Sequence, residues 1–522
     1  MAPKVSCVSL RGFDPKIAEA PAQIGDAREA QVEGKSMCVV RGYVSPQVQF
    51  EVRLPMQGWT QRYLQTGCGG LCGTLSVRVQ QRPCPAVQRG EFVTASTDMG
   101  HQGQGGTWAA FDPQLRVDFA YRGVHVTALV AKALIAQFYG QQARWAYFSG
   151  CSDGGREGMM EAQRYPDDFD GIAAGAPAFN FLVQNSFYHA WNARSVMPDS
   201  TGPVLLARDL GILHAAALAA CDSVDGLTDG LVSTPTGCHF DPGTVECRGV
   251  VQENCLTPAA VTAATAIYAG ARDSRGNRLV IGGPQPGSEL SWAGVFVPQT
   301  AESPIFSATI ASDVLRSLAY WRPLPSGWTL SQFRFETSAL GGLMPMHGLY
   351  DATDPNLSRF ARRKGKLLIW HGWSDPHISP LNSIAYAQAV TDRLGTASRD
   401  VLRLFLIPGM YHCGGGDGLT SVDALTPLMT WVENGDAPDS LIASRSDADA
   451  AASRGRMIPA WPATSLLTKG ADPELPVSWN VGPPLAVPAK LYATWAGRRL
   501  FEPGYERECG FDGANFSCRS KR

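Results

Sequence analysis

The sequence predicts an α/β protein: a doubly wound, mostly parallel sheet with helices on both faces, interrupted by a large inserted lid domain. Three observations lead there. Strand-like and helix-like stretches alternate through residue 177 and again after about 355, as a layered α/β core requires. Between those blocks, over 178–354, the alternation stops and Trp, Pro and Gly become frequent. Finally, Gly150-Cys151-Ser152-Asp153-Gly154 fits G-x-S-x-G at the junction of one predicted strand and one predicted helix.

The first block, 1–177, opens with β-rich runs at 39–44 and 48–54 around Ser45-Pro46, which read as an antiparallel pair. Residues 63–66 form a strand that runs into Gly67-Cys68-Gly69-Gly70-Leu71-Cys72-Gly73. This Gly-rich loop lacks the Gly-Lys-Ser/Thr of a phosphate loop, and no G-x-G-x-x-G opens a helix. Its better use is to expose backbone N–H groups near a nucleophile. Residues 92–98 form another strand. Over 121–139, Val124, Leu129, Ala133, Leu134 and Phe138 recur at helical spacing, and Gly140 stops the helix. The apolar run 144–148 is a strand, 156–164 a helix, and 169–177 returns to the sheet.

In the inserted segment, 204–220 and 259–268 read as helices, the second opened by Thr257 as cap and Pro258 at the first position. The last block, 355–522, resumes the pattern. A strand at 366–370 ends in His371-Gly372-Trp373-Ser374-Asp375-Pro376, and 383–394 is helical. A strand at 401–407 ends in Pro408-Gly409-Met410-Tyr411-His412-Cys413. A helix at 422–432 stops at Asn434-Gly435, and the chain beyond about Ser440 reads as irregular.

The chain has 522 residues with a formal net charge of −2 and no basic block, which argues against nucleic acid as a partner. No apolar run reads as membrane-spanning, so no membrane partner is expected. Thirteen cysteines include the close pairs Cys221/Cys238, Cys247/Cys255 and Cys509/Cys518. Only Cys68 and Cys72 have ligand-like spacing, with no second Cys/His pair to complete a zinc site, so disulfides are favoured. That implies an oxidising compartment, secreted or periplasmic. Residues 1–7 lack the apolar core of a signal peptide; the expectation is a sequence that has lost an export signal and gained an initiator Met.

An acyl-transfer serine needs a base to take its proton and an acid to hold that base. In doubly wound hydrolases these follow the serine on later strand ends, acid first. Asp375 follows one predicted strand and His412 the next, so the candidate triad is Ser152, Asp375 and His412. Among rival bases, His125 lies in a predicted helix and His101 precedes the serine. His371 and His377 share a short loop with Asp375, too near it in sequence to sit on its far side. Cys151 adjoins Ser152 and Cys413 adjoins His412. If serine and base touch, a Cys151–Cys413 disulfide is within reach. A third signal is Asp222, Asp225 and Asp229 on a Gly-containing loop. With the carbonyls of Leu227 and Leu231, they suit an oxygen shell for calcium.

The combination of Cys151-Ser152, Asp375 and His412-Cys413 resembles the tannase and feruloyl esterase family of α/β-hydrolases. Matching stretches are Gly150–Arg156, the loop His371–Pro376 and Gly409–Cys413, with Asp351–Leu357 resembling a further family stretch. The resemblance spans about Cys7 to Cys518. It implies a structural calcium in the lid on Asp222, Asp225, Leu227, Asp229 and Leu231, with no organic cofactor. It also adds Cys7 and Cys38 to the cysteines expected in disulfides, while the pairing of Cys68, Cys72 and Cys84 stays open. Members hydrolyse esters of phenolic acids such as gallate, ferulate and related hydroxycinnamates, and a close relative hydrolyses mono(2-hydroxyethyl) terephthalate.

The expected chemistry is therefore a two-step acyl transfer onto Ser152. The backbone N–H of Asp153 and one from Gly69 or Gly70 would hold the oxyanion. The expected partner is a small aromatic ester, free or attached to plant cell-wall polysaccharide or tannin; the oligomeric state is not specified. Trp191, Phe187, Tyr188, Trp292 and Trp321 are candidates for an apolar slot in the lid. The competing functions are hydrolysis of terephthalate-type aromatic esters, a serine peptidase of the same fold class, and a non-catalytic phenolic or carbohydrate binding protein.

Overall fold

The computed structural model describes the chain except residues 18, 79–83, 199–201, 250–253, 452, 488–493, 502–506, 513–514 and 521–522. Successive side chains of a strand point to opposite faces, so a strand covered on both sides must be apolar throughout. Such a strand is the run 144–148. Phe148, Ile172, Leu367 and Ile369 pack into one core, and their strand neighbours Tyr147, Ala173, Leu368 and Trp370 into another. The sheet between these cores has nine strands in the order β1-β2-β3-β5-β4-β6-β7-β8-β9. They are β1 Ala22–Val32, β2 Lys35–Val44, β3 Val48–Pro55, β4 Arg62–Thr66, β5 Phe92–Thr97, β6 Trp145–Cys151, β7 Gly171–Gly175, β8 Lys366–Gly372 and β9 Leu402–Ile407. From β5 to β9 every pairing is parallel, and the first three strands add an antiparallel flank.

Helices α1 (Gly123–Tyr139) and α2 (Asp153–Arg164) contribute Val124, Leu134, Met159 and Met160 to the first core. The segment 113–139 is long and apolar enough to cross a membrane, contrary to the sequence reading, but most of it is buried inside the protein. The chain leaves the sheet after β7 and re-enters at β8, which pairs directly with β7. In between lie α3 (Leu210–Cys221), α4 (Pro258–Ala269) and α5 (Phe306–Ser317). Thr257 caps α4 by accepting from the Ala260 N–H at 3.1 Å. Leu210, Leu213, Ala264, Ile267, Trp292 and Phe296 form a separate small core, whereas Ile310 and Val314 of α5 join the main one. Helix α6 (Leu381–Leu394) covers the same sheet face as α1, and α7 (Leu425–Asn434) the opposite face.

Four local expectations change. Strand β1 escaped notice because Gly25, several charges and a bulge between Ile24 and Asp26 break its alternation. Helix α3 begins at Leu210, after a 3₁₀ turn at Ala207–Asp209, not at residue 204. Helix α7 begins at Leu425 because the Asp423 carboxylate accepts from the N–H groups of Leu425 and Thr426 (3.1 and 2.9 Å), fixing a start there. The tail is not irregular. β10 (Ser421–Val422), β11 (Ser440–Ser444) and β12 (Arg456–Pro459) make one small sheet, and β13 (Ala463–Leu467) pairs with β14 (Trp479–Pro484). These strands are short and Pro-flanked, so pairing with distant partners, not local pattern, makes them strands.

Disulfides join Cys7–Cys38, Cys68–Cys72, Cys151–Cys413, Cys221–Cys238 and Cys247–Cys255. Cys84 is buried and forms no disulfide among the described residues. Cys509 and Cys518 face each other across the antiparallel pair β15 (Arg507–Asp512) and β16 (Asn515–Ser520); their side chains lie outside the described residues.

Candidate active site

Ser152 stands between β6 and α2 with φ 64° and ψ −121°. A side chain with φ positive is strained unless its surroundings hold it, and such strain concentrates where a residue must be presented at a tip. Glycine makes the turn possible. A Cβ on Gly150 would meet the Gly154 carbonyl oxygen at 2.5 Å, and one on Gly154 would meet that of Cys68 at 2.7 Å. The same close approach lets the Gly154 N–H donate to the Cys68 carbonyl at 2.7 Å, locking the Gly-rich loop onto the first turn of α2.

Asp375 and His412 follow the ends of β8 and β9. His412 Nδ1 lies 2.7 Å from Asp375 Oδ2, in a carboxylate that is entirely buried. His371 Nε2 approaches the same oxygen at 3.1 Å, while Oδ1 accepts from the N–H groups of His377 (2.7 Å) and Ile378 (3.0 Å). Burial opposes ionisation of Asp375. The charge of His412 and the hydrogen bonds from His371 and His412 outweigh it and hold the group well below the ordinary carboxylate range. The sequence excludes His371 as a base by its nearness to Asp375 and does not mark it as a second partner of that acid. Its four-residue spacing from Asp375 is the only signal of it.

Cys151 and Cys413 form a disulfide with Cα atoms 5.8 Å apart, which tethers the elbow to the histidine loop. Ser152 and His412 line one cavity of about 220 Å³. No Ser152–His412 hydrogen bond is formed in this conformation; such bonds are commonly long before substrate arrives. Gly69, Gly70 and Asp153 line the same cavity, and among the described residues their amide N–H groups donate to nothing. Its apolar wall is Phe181, Phe306, Ile310 and Ile378, not the aromatics expected from sequence. Phe187, Tyr188 and Trp292 are buried in the cores and Trp321 is partly exposed. A larger cavity of about 900 Å³, lined by residues such as Thr391, Leu404, Trp461 and Val481, contains none of the triad candidates. Ser152 and His412 line the smaller one.

Behind the elbow, Arg156 grips Asp153 through Nε–Oδ1 at 2.6 Å and Nη2–Oδ2 at 2.9 Å, with both side chains buried. Burial raises Asp153 against that pull. Glu157 is left with the Cys68 N–H at 3.3 Å, and burial, with the neighbouring Asp153, pushes it up to about 8. Two other rival histidines, His101 and His125, are occupied elsewhere. His101 Nε2 lies 2.7 Å from the Leu71 carbonyl oxygen, and the His101 ring stacks on Trp108; His125 pairs with Asp168 and stacks on Tyr165.

Among the described residues, two clusters bring potential metal ligands within 4.8 Å of one another, Cys68/Cys72/Asp153/Glu157 and His125/Glu161/Asp168. The first is committed to a disulfide and to Arg156. In the expected calcium loop, Asp222 accepts from the N–H groups of Asp229 and Gly230 (3.2 and 2.9 Å), and Asp229 Oδ2 pairs with Arg456. Among the described residues Asp229 Oδ1 is buried with no partner, and burial raises the Asp225 carboxyl. Asp222, Asp225 and Asp229 are not among the groups of described residues whose ligand atoms converge within 4.8 Å; the orphaned Asp229 oxygen is the one feature of the loop that suits a hard cation.

The sequence matches the family model described as tannase and feruloyl esterase over residues 30–474. It is 33% identical over 461 residues to a mono(2-hydroxyethyl) terephthalate hydrolase of Piscinibacter sakaiensis, covering 76% of this chain and 75% of that one. It is 34% identical over 435 residues to a probable feruloyl esterase of Arthroderma benhamiae, covering 78% and 77%. Among solved structures, feruloyl esterase B from Aspergillus oryzae superposes with a TM-score of 0.79 at 26% identity, over 91% of this chain and all of that one.

Proposed function

The chain belongs to the tannase and feruloyl esterase family and is a carboxylic ester hydrolase, and we propose that it cleaves esters of phenolic acids through an acyl-enzyme on Ser152. The observation that carries this reading is the buried Asp375 at 2.7 Å from His412 Nδ1, on a loop disulfide-bonded to the residue before Ser152. Asp375 accepts at Nδ1, which leaves Nε2 of His412 to take the serine proton. Ser152 Oγ attacks the ester carbonyl. The oxyanion is held by the Asp153 N–H and one from Gly69 or Gly70, all three unspent. His412 then protonates the leaving alcohol and draws a proton from water, and deacylation retraces the path.

The segment 178–354 acts as the lid, since α5 supplies Phe306 and Ile310 to the cavity wall. Calcium, held by Asp222, Asp225 and Asp229 with the carbonyls of Leu227 and Leu231, supplies cohesion to the lid and takes no part in catalysis. Several disulfides suggest an extracellular protein. In such a setting the substrate is an aromatic ester free or linked to cell-wall polysaccharide or tannin. The test is hydrolysis of methyl ferulate, methyl caffeate and methyl gallate by the wild type and by Ser152→Ala. The variant should lose on the order of a thousandfold or more in kcat while melting normally. Near-normal turnover by Ser152→Ala would sink the assignment.

A further inference from the structure

The polar side chains of the cavity have unequal freedom. Asn185 spends its amide on the Phe181 carbonyl at 3.0 Å, and Gln184 donates to the carbonyl of His377. His189 uses Nδ1 on Ser307 Oγ at 2.8 Å, which leaves its other nitrogen. The ring of His377 makes no hydrogen bond among the described residues, yet the residue is held firmly. Its N–H donates to Asp375 and its carbonyl accepts from Gln184. Its ring is wedged 4.6 Å from that of His412, 4.7 Å from Phe306 and 6.0 Å from His189, centroid to centroid. The loop that carries the acid therefore also fixes an unengaged imidazole beside the base, against the apolar wall. No lysine or arginine is among the described residues that line the cavity.

We propose that His377, assisted by His189, determines specificity by hydrogen-bonding a hydroxyl on the aromatic ring of the substrate, and that the same wall rejects rings bearing a carboxylate. A neutral imidazole donates from one nitrogen and accepts at the other, which matches a phenolic hydroxyl. Burial, and then the charge of His412, drives His377 well below the ordinary histidine range, and burial takes His189 to about 3. A ring carboxylate would enter a site with no cation to meet it. Protonating His377 to meet it would put a second positive ring against His412, which must itself become positive in the transition state.

The inference rests on the esterase reading and is tested on three esters that differ at one ring position: methyl cinnamate, methyl 4-hydroxycinnamate and methyl 4-carboxycinnamate. The readout is the ratio of kcat/KM between them, so a loss shared by all three counts for nothing. The wild type should favour the hydroxylated ester over the unsubstituted one by at least tenfold and take the carboxylated one worst. In His377→Leu the hydroxyl ratio should fall toward one, and His377→Gln, which can still donate and accept, should restore part of it. A wild-type ratio near one, or one unchanged in His377→Leu, overturns the proposal, as does ready hydrolysis of the carboxylated ester. If the wild type cleaves none of the three, the esterase reading fails and takes this inference with it.

Discussion

Asp375 and Glu157 are both buried beside the same cavity, yet their carboxyls are shifted in opposite directions. Asp375 collects two imidazoles and two backbone N–H groups, and stays ionised although burial opposes it. Glu157 has one long bond from the Cys68 N–H and sits beside Asp153, which has already taken Arg156, so burial wins. Burial opposes ionisation of both, and the donors aimed at each carboxylate set the direction of the outcome. The ionised acid can hold a histidine through a catalytic cycle, and the neutral one can only pack and donate.

The sharpest way to break that contrast is Asp375→Asn. The amide keeps the shape but reverses the hydrogen bond to Nδ1, which favours the wrong tautomer of His412. Turnover should fall by about a thousandfold to ten-thousandfold, read as kcat at saturating ester. A fall of less than tenfold would mean that Asp375 does not orient the base.

The two sides of the site also differ in how covalent bonds hold them. Cys151–Cys413 closes a sequence separation of 262 residues and ties the chain beside Ser152 to the chain beside His412, whereas Cys68–Cys72 closes a separation of 4 around Gly69 and Gly70. The chain-entropy model assigns the long loop about 5 kcal/mol. Cys151→Ala/Cys413→Ala should therefore lower both stability and rate, with kcat down by roughly a hundredfold because proton transfer needs hydrogen-bond reach. Cys68→Ala/Cys72→Ala should cost about tenfold in kcat, since the Cys68 carbonyl still anchors the loop through Gly154. Equal losses from the two double variants would show that the short bond, not the loop anchor, fixes the oxyanion donors.

The difference in sequence separation also explains what was legible beforehand. The elbow, the acid and the base each follow a strand whose apolar run is unmistakable, so their place on one sheet edge could be read from order alone. The Cys151–Cys413 pair was legible for the same reason, through the residues it adjoins. The cavity wall was not. Phe306 and Ile310 come from a helix in the inserted segment, where no alternation fixes orientation, and the conspicuous Trp292 and Phe187 went into cores instead. Nor was the second partner of Asp375. His371 reaches it only because the chain bends back after β8 so that Nε2 also meets the Ile378 carbonyl oxygen at 3.0 Å.

The loop around Asp222 adds a third arrangement to the comparison, carboxylates whose one ion pair among the described residues is that of Asp229 with the buried Arg456. If calcium completes that set, chelation should lower Tm by several degrees while initial rates at low temperature stay within about twofold. The absence of stoichiometric divalent metal in the purified protein, together with no thermal shift on chelation, would remove calcium from the account and leave Arg456 as the counter-charge.

The smallest effect tests the contrast most directly, because it changes protonation and little else. Glu157 titrates near 8 in the folded protein and from the ordinary 4.5 when unfolded. Below pH 4.5 the group is protonated in both states. Between 4.5 and 8 the unfolded chain releases the proton and the folded one keeps it, so the unfolded state is favoured progressively and stability falls as pH rises. Above 8 both forms are charged and the slope ends. Asp375 acts with the opposite sign and in another window. Its contribution is complete above the ordinary 3.8 and is lost only as pH falls below that. Glu157→Gln fixes the neutral form and keeps an oxygen for the Cys68 N–H, so the two proteins should melt together at pH 5. By pH 8 the variant should be the more stable by roughly 2 °C. Melting curves that stay parallel from pH 5 to 8 would mean that Glu157 is ionised in the folded protein, and that some donor other than the Cys68 N–H reaches it.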